Sequence, residues 1–220
     1  MPFDSIAKLG KKRDVLKDVP GIQTREEVKD IVLEVIRDRR TIRDFQSRQI
    51  SDDILIKIID CARYAPSAGN QQPWEFIVIK NPDSKKKLQI SCFNQESVMT
   101  APVLVVVAIN MKLATSKYKE RGEKLYGVQS VAAAIQNMLL AAESLGIGGA
   151  WIGAFSEKAV SVLTECPEYI RPCAILAFGY PAEEPPMPPR QPLKEFLHFE
   201  RFGETYLSKE LYKDMHKEVF

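Results

Sequence analysis

The sequence predicts an α+β fold in which helices flank one main sheet. Two patterns predict it: apolar residues that recur about every three to four positions, typical of amphipathic helices, and short β-branched runs, typical of buried strands. The 220 residues are enough to bury a substantial core. No repeat or low-complexity linker divides them, so we expect one main domain at 26–199, preceded by an N-terminal arm at 1–25 and followed by a C-terminal extension at 200–220.

Two helices are expected near the start of the main domain. The first begins after Thr24, a suitable cap with Glu27 three positions on, and ends close to Arg39. Its apolar stripe consists of Val28, Ile31, Val32 and Val35. The second helix begins at 51–53 and ends before Pro66, because the residue before a proline resists helical geometry.

Strands are predicted at 74–79, at 103–109 and at 173–179. A lysine-rich surface helix over 82–90 separates the first two. The middle run is rich in β-branched residues, which predicts a strand buried on both faces. A further short helix is expected at 156–166.

The longest helical pattern covers 126–145 and is apolar on most sides. Such a helix is buried on most sides, either inside one chain or across an interface between two copies. Before it, the charged residues 111–127 predict a mobile excursion, which serves either as an active-site lid or as a solvated connection. The prolines of 181–192 predict an extended surface loop.

Composition excludes several functional classes. A net charge of +2, from 31 basic and 29 acidic residues, does not favour nucleic acid or a membrane surface. The N-terminus lacks the layout of a signal peptide, so we expect a cytoplasmic protein. Four scattered cysteines and two histidines suit neither a metal site nor a nucleophilic triad. The composition therefore favours chemistry carried by a cofactor over chemistry carried by protein side chains.

The first motif lies at 39–45 and combines arginines with a hydroxyl: Arg39, Arg40, Thr41 and Arg43. Arginine binds phosphate in a bidentate manner, and the hydroxyl adds another donor. In an extended segment Arg39, Thr41 and Arg43 would project to one side. Charges at a helix end can instead cap the helix or remain solvated.

The second motif is a loop of small and polar residues that leads into the first strand: Pro66, Ser67, Ala68, Gly69 and Asn70. Little side chain at 67–69 lets the backbone lie against a ligand, and Asn70 offers a donor and an acceptor. An ordinary turn between a helix and a strand is the alternative.

A glycine-rich run at 146–153 contains Trp151, Ile152 and Gly153. It is not a dinucleotide fingerprint, because its spacing differs and it follows a helix rather than a strand. Arg190 lies in the proline-rich loop after a Gly-Tyr-Pro turn.

These motifs, in this order, resemble the flavin-binding signatures of the nitroreductase family over residues 28–193. The resemblance implies a mainly antiparallel central sheet and an intertwined homodimer with FMN at the interface. Arg39, Thr41 and Arg190 would hold the FMN phosphate, and Arg43 would approach the N1–C2 carbonyl edge of the flavin. The remaining implied cofactor contacts are Arg40, Gly69, Trp151, Ile152 and Gly153, of which Ile152 and Gly153 would face N5, and Pro66, Ser67, Ala68 and Asn70, which would come from the opposite subunit.

The resemblance also implies a ping-pong reaction. NADH or NADPH would reduce the flavin, and a small oxidant such as a nitroaromatic or a quinone would reoxidise it, with no obligatory catalytic side chain. Other flavin chemistry on the same fold remains open, namely reductive dehalogenation or flavin fragmentation. A flavin-binding regulatory module without catalysis is the non-enzymatic alternative.

Overall fold

The computed structural model of the chain describes residues 25–204. They fall into two compact units, one up to Pro185 and one from Pro186 onward. The predicted cap Thr24, the rest of the N-terminal arm and the end of the C-terminal extension lie outside the described residues.

A four-stranded antiparallel sheet forms the centre of the first unit. Its strands are β1 Trp74–Ile79, β2 Val103–Asn110, β3 Gly148–Ile152 and β4 Ile170–Gly179. The order across the sheet is β1-β2-β4-β3, so β1 and β3 are the two edges. Three strands lie where the sequence predicts them, whereas β3 lies in the glycine-rich run, where no strand is predicted; glycine is a poor strand former.

Seven α-helices are described: α1 Arg25–Asp38, α2 Asp52–Ala62, α3 Pro82–Ser91, α4 Glu96–Thr100, α5 Met111–Arg121, α6 Gly127–Ser144 and α7 Glu157–Leu163. Short 3₁₀ turns occur at Ala68–Asn70 and Leu193–Glu195. A π-helical turn, Gly122–Tyr126, joins α5 to α6. The charged segment 111–127 is thus helical, which its sequence pattern did not predict, and its mobility and its role as a lid or a solvated connection stay predictions.

The core lies on both faces of the sheet. Helices α2 and α6 cover one face, where Ile58, Ile135 and Met138 are fully buried. The other face packs against Leu88 of α3 and Val160 of α7. Strand β2 is buried over its whole apolar run, as its β-branched residues predict.

The helical stretch Met111–Ser144, 34 residues long, is the one described helix long and apolar enough to cross a membrane by composition. Within its apolar window 44% is buried inside the protein, and Ile135 and Met138 of this stretch belong to the core. It is also interrupted, because Lys119 has a φ of 47° and the π turn follows. The stretch therefore has a clear structural role in packing the sheet.

Two of the cysteine thiols contact the core: Cys92 is fully buried, and Cys173 is partly buried against it. Burial raises the pKa of Cys92 to about 11 and the pKa of Cys173 to about 12. A thiol must lose its proton to act as a nucleophile. Neither side chain is therefore suited to covalent catalysis at neutral pH.

Candidate cofactor-binding site

The first sequence motif, which we call the arginine segment (39–45), runs along the outer edge of β3. Thr41 forms a parallel bridge with Gly149 of that strand. The N–H of Ile42 donates to the carbonyl oxygen of Gly149 at 3.1 Å. The backbone of the segment is thus hydrogen-bonded to β3, the strand that lies within the glycine-rich run.

Two glycines of β3 make this close approach possible. A Cβ at Gly148 would lie 2.7 Å from Cγ1 of Ile42, and a Cβ at Gly149 would lie 2.8 Å from Cδ2 of Leu139. Both distances are too short for real carbon contacts. Glycine in this strand therefore lets the arginine segment pack against it from one side and α6 from the other.

The backbone of Arg43 is held by two residues that no motif singled out. The carboxylate of Glu183 accepts the N–H of Arg43 at 2.5 Å and that of Asp44 at 3.2 Å. The hydroxyl of Thr100 donates to the carbonyl oxygen of Arg43 at 3.1 Å. The side chain of Arg43 remains exposed. Only the position of Glu183 just after the Gly-Tyr-Pro turn could have pointed to it in the sequence.

The structure separates Arg40 from the other members of its motif. Its guanidinium donates to the carbonyl oxygens of Arg37 at 2.5 Å and of Arg39 at 3.1 Å, which caps the end of α1. Ile42, two residues on, is buried in the core, whereas Thr41 is half-buried and Arg43 is exposed. That Arg39, Thr41 and Arg43 share one side stays a prediction.

The side of the segment that bears Arg40 faces a cavity of about 410 Å³. Its lining includes four carboxylates: Asp38, Glu143, Glu183 and Glu184. Burial raises the pKa of Glu143, and the positive charge of Arg39 and Arg40 opposes that rise. An anion would meet a mostly acidic wall here, so the opposite side of the segment suits a phosphate better.

The second motif, which we call the small-residue loop (66–70), has a strained backbone. Gly69, Asn70 and Gln72 all have positive φ, at 58°, 56° and 47°. The hydroxyl of Ser67 accepts the N–H of Gln72 at 3.0 Å and so closes the loop. Backbone of this kind persists where the surroundings enforce it, often at ligand sites.

The loop is fixed to the start of α6 and to α5. The N–H of Ala68 donates to the hydroxyl oxygen of Ser130 at 3.4 Å, and that hydroxyl donates to the carbonyl oxygen of Tyr126 at 2.7 Å. The side-chain amide of Gln71 donates to the carbonyl oxygen of Leu113 at 2.8 Å. The backbone amides of the loop are therefore held in one orientation.

Within one chain the arginine segment and the small-residue loop lie near opposite ends of α6. The loop contacts Ser130, whereas the charges of Arg39 and Arg40 act on Glu143. These two α6 residues are about 20 Å apart along the helix axis at 1.5 Å per residue. One chain does not bring the two motifs together.

The end of β3 carries the third group of predicted cofactor residues. The carbonyl of Gly149 points to the outer edge, and so do the backbone groups of Trp151 two residues on, because the direction alternates along a strand. By the same alternation the backbone groups of Ile152 point toward β4. Gly153 lies just beyond the end of β3, and a Cβ there would meet nothing within 4 Å. Within β3 the geometry favours Trp151 over Ile152 as an outward donor.

Comparison with known proteins decides the family. A model of the nitroreductase family matches residues 36–98 and 89–180. The chain belongs to the nitroreductase family. The predicted fold class is confirmed by the antiparallel sheet with flanking helices and by solved structures of the same fold.

Relatives in the nitroreductase family align over most of the chain. A Methanothermobacter thermautotrophicus protein assigned as an NADH dehydrogenase/NAD(P)H nitroreductase is 36% identical over 160 residues, which are 70% of this chain and 79% of the relative. A Bacillus subtilis FMN reductase (NAD(P)H) is 28% identical over 192 residues, covering 81% of this chain and 76% of the relative. The Vibrio harveyi NADPH:FMN oxidoreductase, solved with NAD+, aligns with a TM-score of 0.73 and 25% identity over 86% of each chain.

Arg190 belongs to the second unit and is exposed. It lies in 182–192, a stretch without helix or strand, as the prolines predict. The position that resemblance to the nitroreductase family suggests for it, beside Arg39 and Thr41, stays a prediction.

An apolar groove of the described residues is open to solvent in the single chain. The groove lies between α1, α2 and α6, has a volume of about 470 Å³ and is lined by Ile31, Val32, Val35, Ile36, Cys61, Tyr64, Asn137, Leu140, Ala141 and Ser144. We call it the α1 groove. Val32 and Ile36 are 53% and 50% exposed, so the predicted apolar stripe of α1 is only partly buried within one chain.

Proposed function

We propose that this protein is a homodimeric, FMN-dependent oxidoreductase that transfers electrons from NADH or NADPH to a nitroaromatic, a quinone or a similar small oxidant by a ping-pong mechanism. Its relatives in the nitroreductase family include a protein named as an FMN reductase (NAD(P)H) and an NADPH:FMN oxidoreductase. These names support an NAD(P)H-dependent flavin oxidoreductase. We also place it in the cytoplasm, where both nucleotides are available.

The observation that carries the proposal is the arginine segment bonded along the open edge of a glycine strand. Arg39, Thr41 and Arg43 alternate with the buried Ile42, so their donors can face one ligand. At Gly153 the protein leaves open space that a Cβ would enter. A phosphate on the donors and a flat ring against the glycine backbone fit this arrangement.

In the proposed complex several of the predicted site residues contact a defined part of FMN. Arg39 and Thr41, with Arg190, would bind the phosphate, and the amides of Trp151 and Gly153 would face the ring. Bound FMN would supply the redox chemistry, taking a hydride from the nucleotide and returning two electrons to the acceptor. The protein itself would bind and orient the ring, and we assign no side chain as a catalytic acid or base.

The homodimer is supported by two features of the single chain. The small-residue loop lies about 20 Å along α6 from the arginine segment, so a site built from both would take one from each subunit. The α1 groove leaves half of Ile36 exposed, which is costly for an apolar side chain in water. A second copy of the chain that covers this groove would bury the exposed apolar side chains and could supply the second half of the site.

The visible absorption spectrum of the purified protein tests the proposal, before and after anaerobic addition of NADH or NADPH. Flavin bands that bleach with either nucleotide and return on addition of a nitroaromatic or quinone are expected. Flavin bands that persist would favour flavin fragmentation or a regulatory module instead. Colourless protein that cannot be reconstituted with FMN would overturn the proposal.

Arg43→Ala is expected to leave FMN bound but to make its reduction harder. The phosphate contacts of Arg39 and Thr41 remain, whereas the reduced anionic ring loses a nearby cation. The two-electron potential, measured by equilibration with a redox dye, should become more negative by about 20–40 mV, which corresponds to roughly 1–2 kcal/mol.

Lys80→Ala is the matched control, because Lys80 follows β1 at the opposite edge of the sheet and pairs with Asp52. Its flavin potential should equal that of the unmodified protein. An unchanged potential in Arg43→Ala would remove Arg43 from its assigned role.

A further inference from the structure

Helix α5 lies directly against the small-residue loop. A Cβ at Gly69 would be 2.9 Å from the hydroxyl of Tyr118 and 3.3 Å from Cδ of Lys117. The side-chain amide of Gln71 also bonds to the carbonyl oxygen of Leu113 and to the hydroxyl of Ser116. The contacts of Gly69 and the hydrogen bonds of Gln71 therefore hold this region against helix α5. Lys117 and Tyr118 belong to the same surface as Gly69.

The backbone of this region departs from regular helix. Lys119 has a φ of 47°, and the π turn begins three residues later at Gly122. A Cβ at Gly122 would lie 1.9 Å from the carbonyl oxygen of Ala114, so the turn depends on glycine. π turns and strained residues within helices often occur at functional sites, which directs attention to the side chains beside them.

Those side chains combine aromatic rings with positive charge. The rings of Tyr118 and Tyr126 meet edge to face at 5.0 Å, and Nε of Arg121 donates to the hydroxyl of Tyr126 at 2.7 Å. The ammonium of Lys117 lies 5.5 Å from the centre of the Tyr118 ring.

Charge compensation on this surface is incomplete. Glu120 pairs with Lys124. Among the described residues neither Lys117 nor Arg121 has a carboxylate partner within ion-pair distance. The surface beside Gly69 therefore carries net positive charge next to a half-buried aromatic ring.

We propose that Lys117 and Tyr118 form an acceptor-binding surface that favours planar oxidants bearing a negative charge. The inference rests on the proposed function, in which the small-residue loop approaches the flavin. An acceptor must lie close to the flavin to be reduced, and the side chains in contact with that loop border the same space. The Tyr118 ring offers an apolar contact to a planar acceptor, and the Lys117 ammonium offers an ion pair to its anionic group.

The test compares two acceptors of nearly equal shape, 4-nitrobenzoate and 4-nitrobenzamide, with FMN-loaded protein. The flavin is first reduced with dithionite, so no nucleotide competes for the cations. Each acceptor is then mixed in by stopped flow, and flavin reoxidation is followed. The reaction is Ar–NO₂ + 2 e⁻ + 2 H⁺ → Ar–NO + H₂O, with the reduced flavin as the source of both electrons. The measured quantity is the ratio of the second-order rate constants, benzoate to benzamide.

Lys117→Gln is expected to lower this ratio roughly fivefold, the effect of losing one exposed ion pair. Comparing ratios between variants cancels the difference in intrinsic reactivity of the two acceptors. Lys117→Arg should restore most of the ratio. Lys112→Gln is the matched control on the same helix, because its ammonium lies 3.5 Å from the centre of the Tyr169 ring; it should leave the ratio unchanged.

Binding without turnover gives an independent readout. Benzoate and benzamide cannot be reduced in this way, and their dissociation constants with the oxidised, FMN-loaded protein follow from perturbation of the flavin absorption bands. Benzoate should bind more tightly than benzamide, and Lys117→Gln should remove roughly fivefold of that preference.

The outcomes separate this inference from the proposed function. Two results overturn the inference alone, provided that both acceptors reoxidise the flavin. In the first, Lys117→Gln leaves the ratio of rate constants unchanged; in the second, Lys112→Gln changes this ratio as much as Lys117→Gln does. Protein that binds FMN but passes electrons to neither acceptor overturns the inference, and it contradicts the proposed function as well if a quinone also fails to reoxidise the flavin. A ratio that falls in Lys117→Gln, recovers in Lys117→Arg and stays constant in Lys112→Gln establishes the selectivity.

Discussion

Ile36→Glu in the α1 groove is expected to give a folded monomer that does not retain FMN. Ile36 is 50% exposed in the single chain, so the chain itself tolerates the glutamate. In a symmetric dimer the residue occurs twice, and covering the exposed half of each isoleucine contributes about 1 kcal/mol. Burying two carboxylates adds a further penalty. Because the proposed site takes residues from both subunits, loss of the dimer removes both flavin sites.

Sedimentation velocity and the ratio of flavin to protein absorbance measure these two effects, and circular dichroism checks the fold. Ile90→Glu is the control, since Ile90 of α3 is 69% exposed on a helix that packs on the other face of the sheet. It should remain dimeric and yellow. A dimeric Ile36→Glu protein with full flavin content would contradict the assignment of the groove.

Gly148→Val is the second substitution with a large expected effect, this time on folding stability. The new Cβ would lie 2.7 Å from Cγ1 and 2.9 Å from Cβ of Ile42. The arginine segment must therefore move away from β3, and it loses both the burial of Ile42 and the bond to Gly149. Together these changes cost about 3–5 kcal/mol, which lowers the melting temperature by roughly 10 °C.

Gly153→Ala separates steric strain in the protein from interference with the ligand. Nothing lies within 4 Å of a Cβ at this position, so the melting temperature of the apoprotein should not change. Affinity for FMN, measured by quenching of flavin fluorescence, should nevertheless fall, because the methyl group enters the proposed ring space. A Gly148→Val apoprotein as stable as the unmodified one would show that β3 tolerates side chains facing the segment.

Much of the fold follows from the sequence because local patterns and tertiary packing agree there. The β-branched run of β2 is buried on both faces, and Ser51 caps α2 as its type predicts, accepting the N–H of Ile54 at 3.5 Å. Within the arginine segment Ile42 is buried between the half-buried Thr41 and the exposed Arg43.

The features that sequence reasoning missed depend on contacts distant in the chain. Strand β3 was not predicted, since glycine has low strand propensity, and only the approach of Ile42 and Leu139 makes glycine necessary. Helix α5 reads as a charged excursion because its apolar residues are few. Glu183 could not be assigned, since its two bonds are to backbone N–H groups about 140 positions earlier.

The raised pKa values of the Cys92 and Cys173 thiols also affect how fast a flavin enzyme of this kind is oxidised. Reduced flavins react with dioxygen and release hydrogen peroxide, which oxidises thiolates far faster than thiols. With a pKa of about 11, Cys92 is ionised in only about one molecule in ten thousand at pH 7, and Cys173 in fewer. Cys92 also lies away from solvent in the packed core, and Cys173 is partly buried against it. Both oxidisable groups are thus held in the protonated form, which peroxide attacks slowly.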